Sequence, residues 1–141
     1  MADNLTQEQR RFNMSRIRSG DTRPEMVVRS IVHRLGYRFR LHKKELAGKP
    51  DIVLVRHRRI INVNGCFFHM HNCKFGRVIP ATNEMYWKTK RLSNVKRDLR
   101  NLRILKRAGW KVMVVWECET KETTRLVKRI ERFLHAANAS T

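Results

Sequence analysis

Acidic side chains are scarce in this chain. Only 12 Asp and Glu stand against 32 Lys and Arg, leaving a formal net charge of +20 and a pI of about 11.3. That is the footprint of a polyanion binder, with nucleic acid as the leading partner. Long apolar runs are absent, which argues against a membrane-spanning helix. The basic residues are dispersed instead of gathered on one amphipathic helix, which argues against a membrane surface. Cysteine is rare and odd in number. Cys66, Cys73 and Cys118 do not suggest a disulfide framework, and with no signal-peptide pattern a reducing, cytoplasmic compartment is expected. No internal repeat and no domain linker is visible, so the 141 residues read as one domain, long enough for a real core. A small basic RNA-binding protein is the alternative, and what separates this chain from it is where the few acids fall.

Thr6 and Gln9 form a capping-box pattern that opens a basic helix to about Arg18, with Met14 and Ile17 as its apolar points and Ser19-Gly20 as its end. Thr22 and Glu25 form a second box with Pro24 in the first turn. Behind it Val27, Val28, Ile31, Val32 and Leu35 recur at helical spacing, so this face is expected in the core. Tyr37–Leu41 alternates like a first strand, Asp51–Val55 reads as a buried second strand, and Ile60–Asn64 as a third. A long helix is expected from about Glu84 to Ala108, with Leu92, Val95, Leu99, Leu102 and Leu105 on its inner face. After Gly109, Trp110–Trp116 reads as a buried strand that delivers Glu117 and Cys118, and a basic helix closes the chain over about Lys121–Ala136. This order predicts a mixed central sheet flanked by helices, in the α/β class.

The segment Gly65-Cys66-Phe67-Phe68-His69-Met70-His71-Asn72-Cys73 mixes thiols, imidazoles and aromatic rings in a way that no ordinary loop requires. With Cys118, the residues Cys66, His71 and Cys73 make a Cys₃His set, one of the closed combinations of a structural zinc site. The plain alternative is three small buried apolar side chains. His69 is left over. Asp51 follows Pro50 at the head of an apolar strand, where an acid gains nothing from packing and either marks a turn or holds a cation. Glu25 alone is the partner in its capping box, and Asp98 alone pairs with a neighbouring arginine on the long helix. Together, Glu25, Asp51 and Asp98 around His69 could form a hydrolytic centre in which Mg²⁺ steadies a phosphate and His69 takes a proton from water.

These residues carry a family resemblance. The run Gly48-Lys49-Pro50-Asp51, the cysteine-histidine loop, Pro80-Ala81-Thr82, Asn94-Val95-Lys96-Arg97-Asp98 and the stretch from Gly109 to Cys118 resemble the very short patch repair (Vsr) mismatch endonucleases, over about Asn13 to Cys118. The resemblance implies a restriction-endonuclease-like fold of the PD-(D/E)XK type and a single endonuclease domain over 1–141, with 1–19 a DNA-contacting helix. It also implies a T:G mismatch as substrate and a Mg²⁺-dependent nick on the 5′ side of the mispaired thymine.

By the same resemblance Asp51 and the Val63 main-chain carbonyl hold magnesium, His69 is the general base, and Glu25 and Asp98 support it. Cys66, His71, Cys73 and Cys118 hold zinc. Phe67 and Phe68 wedge beside the mismatch, joined by Trp87 from one groove and Met14 from the other; such wedges cost least at a step already mispaired. The expected partner is mismatched double-stranded DNA bound by a monomer in the bacterial cytoplasm, at the nucleoid; whether mismatch-repair proteins are recruited stays open. Three departures stand out: Phe68 replaces the usual tryptophan, Asn64 occupies a position where a histidine commonly assists the metal-water network, and the segment after Cys118 is short. A nicking enzyme for another mismatch or sequence context, and a non-catalytic zinc-stapled nucleic-acid-binding protein, are the rival readings.

Overall fold

The computed structural model describes residues 22–74 and 76–136. The expected helix over 1–19, with Met14, lies outside the described residues. Helix α1 spans Arg23–Arg34 and begins as its sequence predicts, with the Thr22 hydroxyl accepting the Glu25 N–H at 3.4 Å and proline in the first turn. Val28, Ile31 and Val32 are buried, while Val27 and Leu35 pack against the same cluster.

Four strands follow: β1 (Arg40–Leu41), β2 (Ile52–Leu54), β3 (Arg59–Asn64) and β4 (Lys111–Trp116). They form one sheet in the order β1-β2-β3-β4. The first two pairings are antiparallel, and β3 and β4 run parallel with Val63 opposite Val115. A parallel pair needs a crossover, which helix α2 (Glu84–Arg107) supplies. A 3-10 turn over Glu117–Lys121 leads into helix α3 (Thr123–His135). Alternation along the strands splits the core. Ile52, Leu54, Ile61, Met113 and Val115 pack with α1 and α3, while Val53 and Ile60 pack with Leu105 and Trp110 on the other face.

Three expectations are corrected. The strand expected over Tyr37–Leu41 shrinks to two residues, because Tyr37 and Phe39 lean against the first core cluster and His42 turns the chain at φ 46. Val55 leaves β2 for the hairpin turn, in which the Arg58 N–H donates to its carbonyl at 3.2 Å. The inner face expected for the long helix holds only at its C-terminal end. Leu105 is buried, but Leu92 and Leu99 are 41% and 51% exposed and Arg91 is buried instead. A helix of 24 residues is about 36 Å long and a strand of six residues about 20 Å, so the N-terminal half of α2 overhangs the sheet and meets the cysteine-histidine loop.

Candidate functional site

A cleft of about 680 Å³ opens where β3 and β4 end, lined by His42, Asp51, Asn64, His69 and Asp98 among others. Asp51 reaches it from the turn before β2. Gly48 makes that turn possible: it takes φ +76, and a Cβ there would meet the Asn101 amide nitrogen at 2.7 Å. The Asp51 N–H donates to Asn62 Oδ1 at 3.3 Å, and the Val63 N–H donates to Asp51 Oδ2 at 2.7 Å.

Glu25, in the first turn of α1, is buried at 2% exposure; its Oε2 pairs with Arg29 and its Oε1 lies 2.9 Å from His42 Nε2. The same imidazole nitrogen is 3.9 Å from Asp51 Oδ1. Burial pushes the Asp51 carboxyl up from its ordinary 3.8 to about 7, the Val63 N–H pulls it back, and the Glu25 carboxyl beside it raises it further. One ligand atom from each of Glu25, His42 and Asp51 lies within 4.8 Å of the others. This donor set suits a divalent cation, which would offset the cost of two close carboxylates. The capping-box role read for Glu25 is half present: Thr22 accepts its N–H, but its carboxylate turns to Arg29 and His42.

His69 stands in the loop after β3, with Nδ1 against Asp98 Oδ2 from the middle of α2. A carboxylate at Nδ1 keeps that nitrogen protonated, so a neutral ring carries its lone pair at Nε2. Asp98 therefore does not depend on a helix neighbour for its partner. Asn64 lines the same cleft.

The four atoms of Cys66, His71, Cys73 and Cys118 also lie within 4.8 Å of one another. His71 Nδ1 is 3.7 Å from Cys66 Sγ and 3.5 Å from Cys118 Sγ, and its ring stacks on Trp116 at 4.2 Å between centroids. The Cys118 N–H donates to Cys66 Sγ and the Gly76 N–H to Cys73 Sγ. None of the three cysteines is in a disulfide. Burial pushes the Cys66 thiol up to about 12 and the Cys118 thiol in the same direction. A soft cation at the centre would favour the thiolates instead, and the spacing and chemistry of the set fit one.

Beside this cluster Phe67, Phe68 and Trp87 form a three-ring group, with centroids 5.3 to 6.1 Å apart. Arg91 holds it in place. Buried, it donates to the carbonyls of Phe67, Val78 and Gly76 and lies 4.3 Å over the Phe67 ring. Asn94 donates to the Phe68 carbonyl at 3.0 Å. The structure thus brings together Glu25 with Asp51, His69 with Asp98, the four cysteine-cluster residues, and the three rings; only Met14 lies outside the described residues.

His42, Arg91 and Trp116 are contributors that sequence reasoning missed. No sequence signal marked them; His42 gains its meaning only from the hairpin register, which pairs Leu41 with Ile52 and sets it opposite Asp51.

The family model for DNA mismatch endonuclease Vsr matches residues 2–75. The type II nicking enzyme V.XorIIP of Xanthomonas oryzae pv. oryzae is 45% identical, over 95% of this chain and 98% of its own length. The chain belongs to the Vsr family. Other Vsr-like relatives are the type II nicking enzyme V.NmeAIP of Neisseria meningitidis serogroup A, 39% identical over 95% of each chain, and the DNA mismatch endonuclease Vsr of Escherichia coli K12, 35% identical over 99% of this chain and 92% of its own. The Vsr family is one of DNA-cleaving hydrolases. Among the described residues no helix is long and apolar enough to cross a membrane.

Proposed function

We propose that this protein nicks one strand of duplex DNA 5′ to the mispaired thymine of a T:G mismatch, beginning very short patch repair of deaminated 5-methylcytosine. The observation that carries the reading is the convergence of Asp51 and the His69–Asp98 pair on one cleft beside an aromatic cluster. The mismatch substrate follows the name of the Escherichia coli relative, and T:G follows the resemblance to the very short patch repair family.

In this reading Asp51 and the Val63 carbonyl would hold Mg²⁺. The N–H and C=O of one strand residue share an edge, and the Val63 N–H already faces Asp51. When bound, the ion supplies Lewis-acid stabilisation of charge on the phosphate. His69 Nε2 accepts a proton from water as its oxygen bonds to phosphorus, Asp98 stabilises the imidazolium through Nδ1, and the bond to the leaving oxygen breaks, that oxygen taking a proton from solvent. Glu25 supports Asp51, and Asn64 offers an amide to the phosphate or to water. Zn²⁺ held by Cys66, His71, Cys73 and Cys118 is structural, joining the loop to the end of β4. Phe67, Phe68 and Trp87 unstack the mispaired step, with Met14 in the N-terminal helix over 1–19 meeting it from the other groove.

The fold is read as restriction-endonuclease-like and the protein as a monomeric single domain over 1–141 at the bacterial nucleoid. The dispersed positive charge supplies affinity without sequence preference. The test is incubation with Mg²⁺ and end-labelled duplexes carrying each mismatch. A nick at T:G alone is expected, whereas no cleavage of any duplex would sink the reading. Two relatives are nicking enzymes by name, which favours a second reading in which the flanking sequence differs; varying the bases around the mismatch separates the two.

A further inference from the structure

Glu25 and Asp51 are each tethered through one oxygen and turn the other toward the same imidazole. Glu25 Oε2 pairs with Arg29 and Asp51 Oδ2 accepts the Val63 N–H. Glu25 Oε1 and Asp51 Oδ1 then lie 2.9 and 3.9 Å from His42 Nε2. His42 is anchored as well. Its N–H donates to the Asp51 carbonyl at 3.1 Å, and it takes φ 46, uncommon for any residue but glycine. Neighbouring ligands at right angles on a divalent ion, with bonds of about 2.1 Å, stand about 3 Å apart. The Glu25 oxygen already stands at that spacing from the nitrogen, and the Asp51 oxygen is within about an ångström of it.

We infer that His42 is a direct nitrogen ligand of the divalent ion assigned to Asp51, so that Glu25, His42 and Asp51 form a mixed nitrogen and oxygen site. The inference rests on the metal-dependent reading above and adds to it a ligand and a preference among metals. Imidazole suits ions such as Fe²⁺, Ni²⁺ and Zn²⁺ best, and Mn²⁺, the hardest of the first-row series, still exchanges water for nitrogen more readily than Mg²⁺, which keeps to oxygen donors. The site therefore selects Mn²⁺ over Mg²⁺.

The test titrates Mn²⁺ alone into the zinc-loaded full chain without DNA. Binding is followed by the loss of the free-ion electron paramagnetic resonance signal, and the bound ion is examined for spin-echo modulation by ¹⁴N. The expected result is a bound ion with nitrogen coupling that Asp51→Asn abolishes and Mg²⁺ displaces only at roughly tenfold or greater excess over Mn²⁺. His42→Gln should remove the coupling and weaken Mn²⁺ on the order of 10–100-fold, with Mg²⁺ affinity changed by less than about threefold. The coupling is read on the unaltered protein, so a variant that folds poorly does not decide the matter. Bound Mn²⁺ without nitrogen coupling overturns the inference, as does a protein that nicks with Mg²⁺ yet fails to bind Mn²⁺; the endonuclease reading survives both. Neither metal binding nor nicking of any duplex brings down that reading and this inference together.

Discussion

Cys66, His71 and Cys73 share one loop and meet Cys118 at the end of the adjacent strand, whereas Glu25, His42 and Asp51 come from a helix, a strand terminus and a hairpin. Both sets place their donor atoms within 4.8 Å, yet their chemistry is opposite. Sulfur dominates the first, two of its thiols accept backbone N–H groups, and its imidazole is clamped against Trp116. Its members are held by one another and by the backbone, although His71 also borders the cleft. The second brings the Glu25 and Asp51 carboxylates together at a cleft, where burial and each other's charge disfavour ionisation and His42 offsets only part of that cost. One cluster is arranged for permanence and the other holds strain that a ligand relieves.

The sharpest way to break this contrast is Cys73→Ala. If the first cluster is structural, losing one of four ligands forfeits a large part of a binding energy of about 10 kcal/mol or more, which is folding energy. The expected outcome is an insoluble protein or one without a cooperative melt. A soluble variant with an unchanged melting temperature would place both clusters in the same dispensable class.

Asp51→Asn should do the reverse, losing activity while gaining stability. Nicking should fall by at least about 10²–10³-fold, the scale of losing a main electrostatic stabiliser, while duplex binding holds within about tenfold because the spread cationic surface supplies it. The stability effect has a definite sign. The folded chain binds the Asp51 proton up to about pH 7 and the unfolded chain only to about 3.8. Between those values the unfolded state releases a proton that the folded state keeps, so this group removes stability as pH rises through the window and adds nothing further above it. With zinc bound and no Mg²⁺ or Mn²⁺ at pH 8, the variant should therefore be more stable than wild type by on the order of 2–4 kcal/mol, and the gap should close by pH 4. Equal melting at both pH values would mean that Asp51 carries no burial penalty.

The same contrast decides what could be read beforehand. The cysteine cluster is compact in sequence and its residue types are chemically unusual, so a short motif announced it. Strand interiors such as Ile52–Leu54 were legible from apolar runs. His42 was not, because an isolated histidine after a two-residue strand gains meaning only from the hairpin register and from a helix packed across the sheet. Arg91 was hidden for a related reason. On a helix rich in basic residues nothing marks the one whose guanidinium turns inward, and its partners are backbone carbonyls of a loop without regular structure. Leu92 and Leu99 misled in the other direction, since helical periodicity does not tell where the sheet beneath a helix ends.

Phe67→Ala should produce a smaller effect that separates the loop's two proposed duties, scaffold and wedge. Loss of one stacking ring should reduce discrimination between mismatched and matched duplexes by about 1–3 kcal/mol, measured as a ratio of binding constants. Zinc content and melting temperature should stay near wild type, because Cys66 and His71 are untouched. If discrimination survives, the three rings beside Arg91 serve the loop's own packing and not the mismatch.

The smallest expected change is at Asn64, and it sharpens the role of the acid cluster's surroundings. An asparagine amide can donate to a phosphate oxygen or accept from water but cannot carry a proton at neutral pH, so in the proposed mechanism proton transfer falls to His69, whose Nδ1 is held by Asp98. Asn64→His adds a second imidazole beside Asp51 without disturbing that pair. Nicking with Mg²⁺ should persist and rise by no more than about tenfold, below the usual 10²–10⁴-fold contribution of a general base, because the base is already present. A wild-type chain inactive on every mismatch, alongside an Asn64→His variant that cuts, would mean that His69 and Asp98 do not suffice. The protein would then bind mismatches without repairing them.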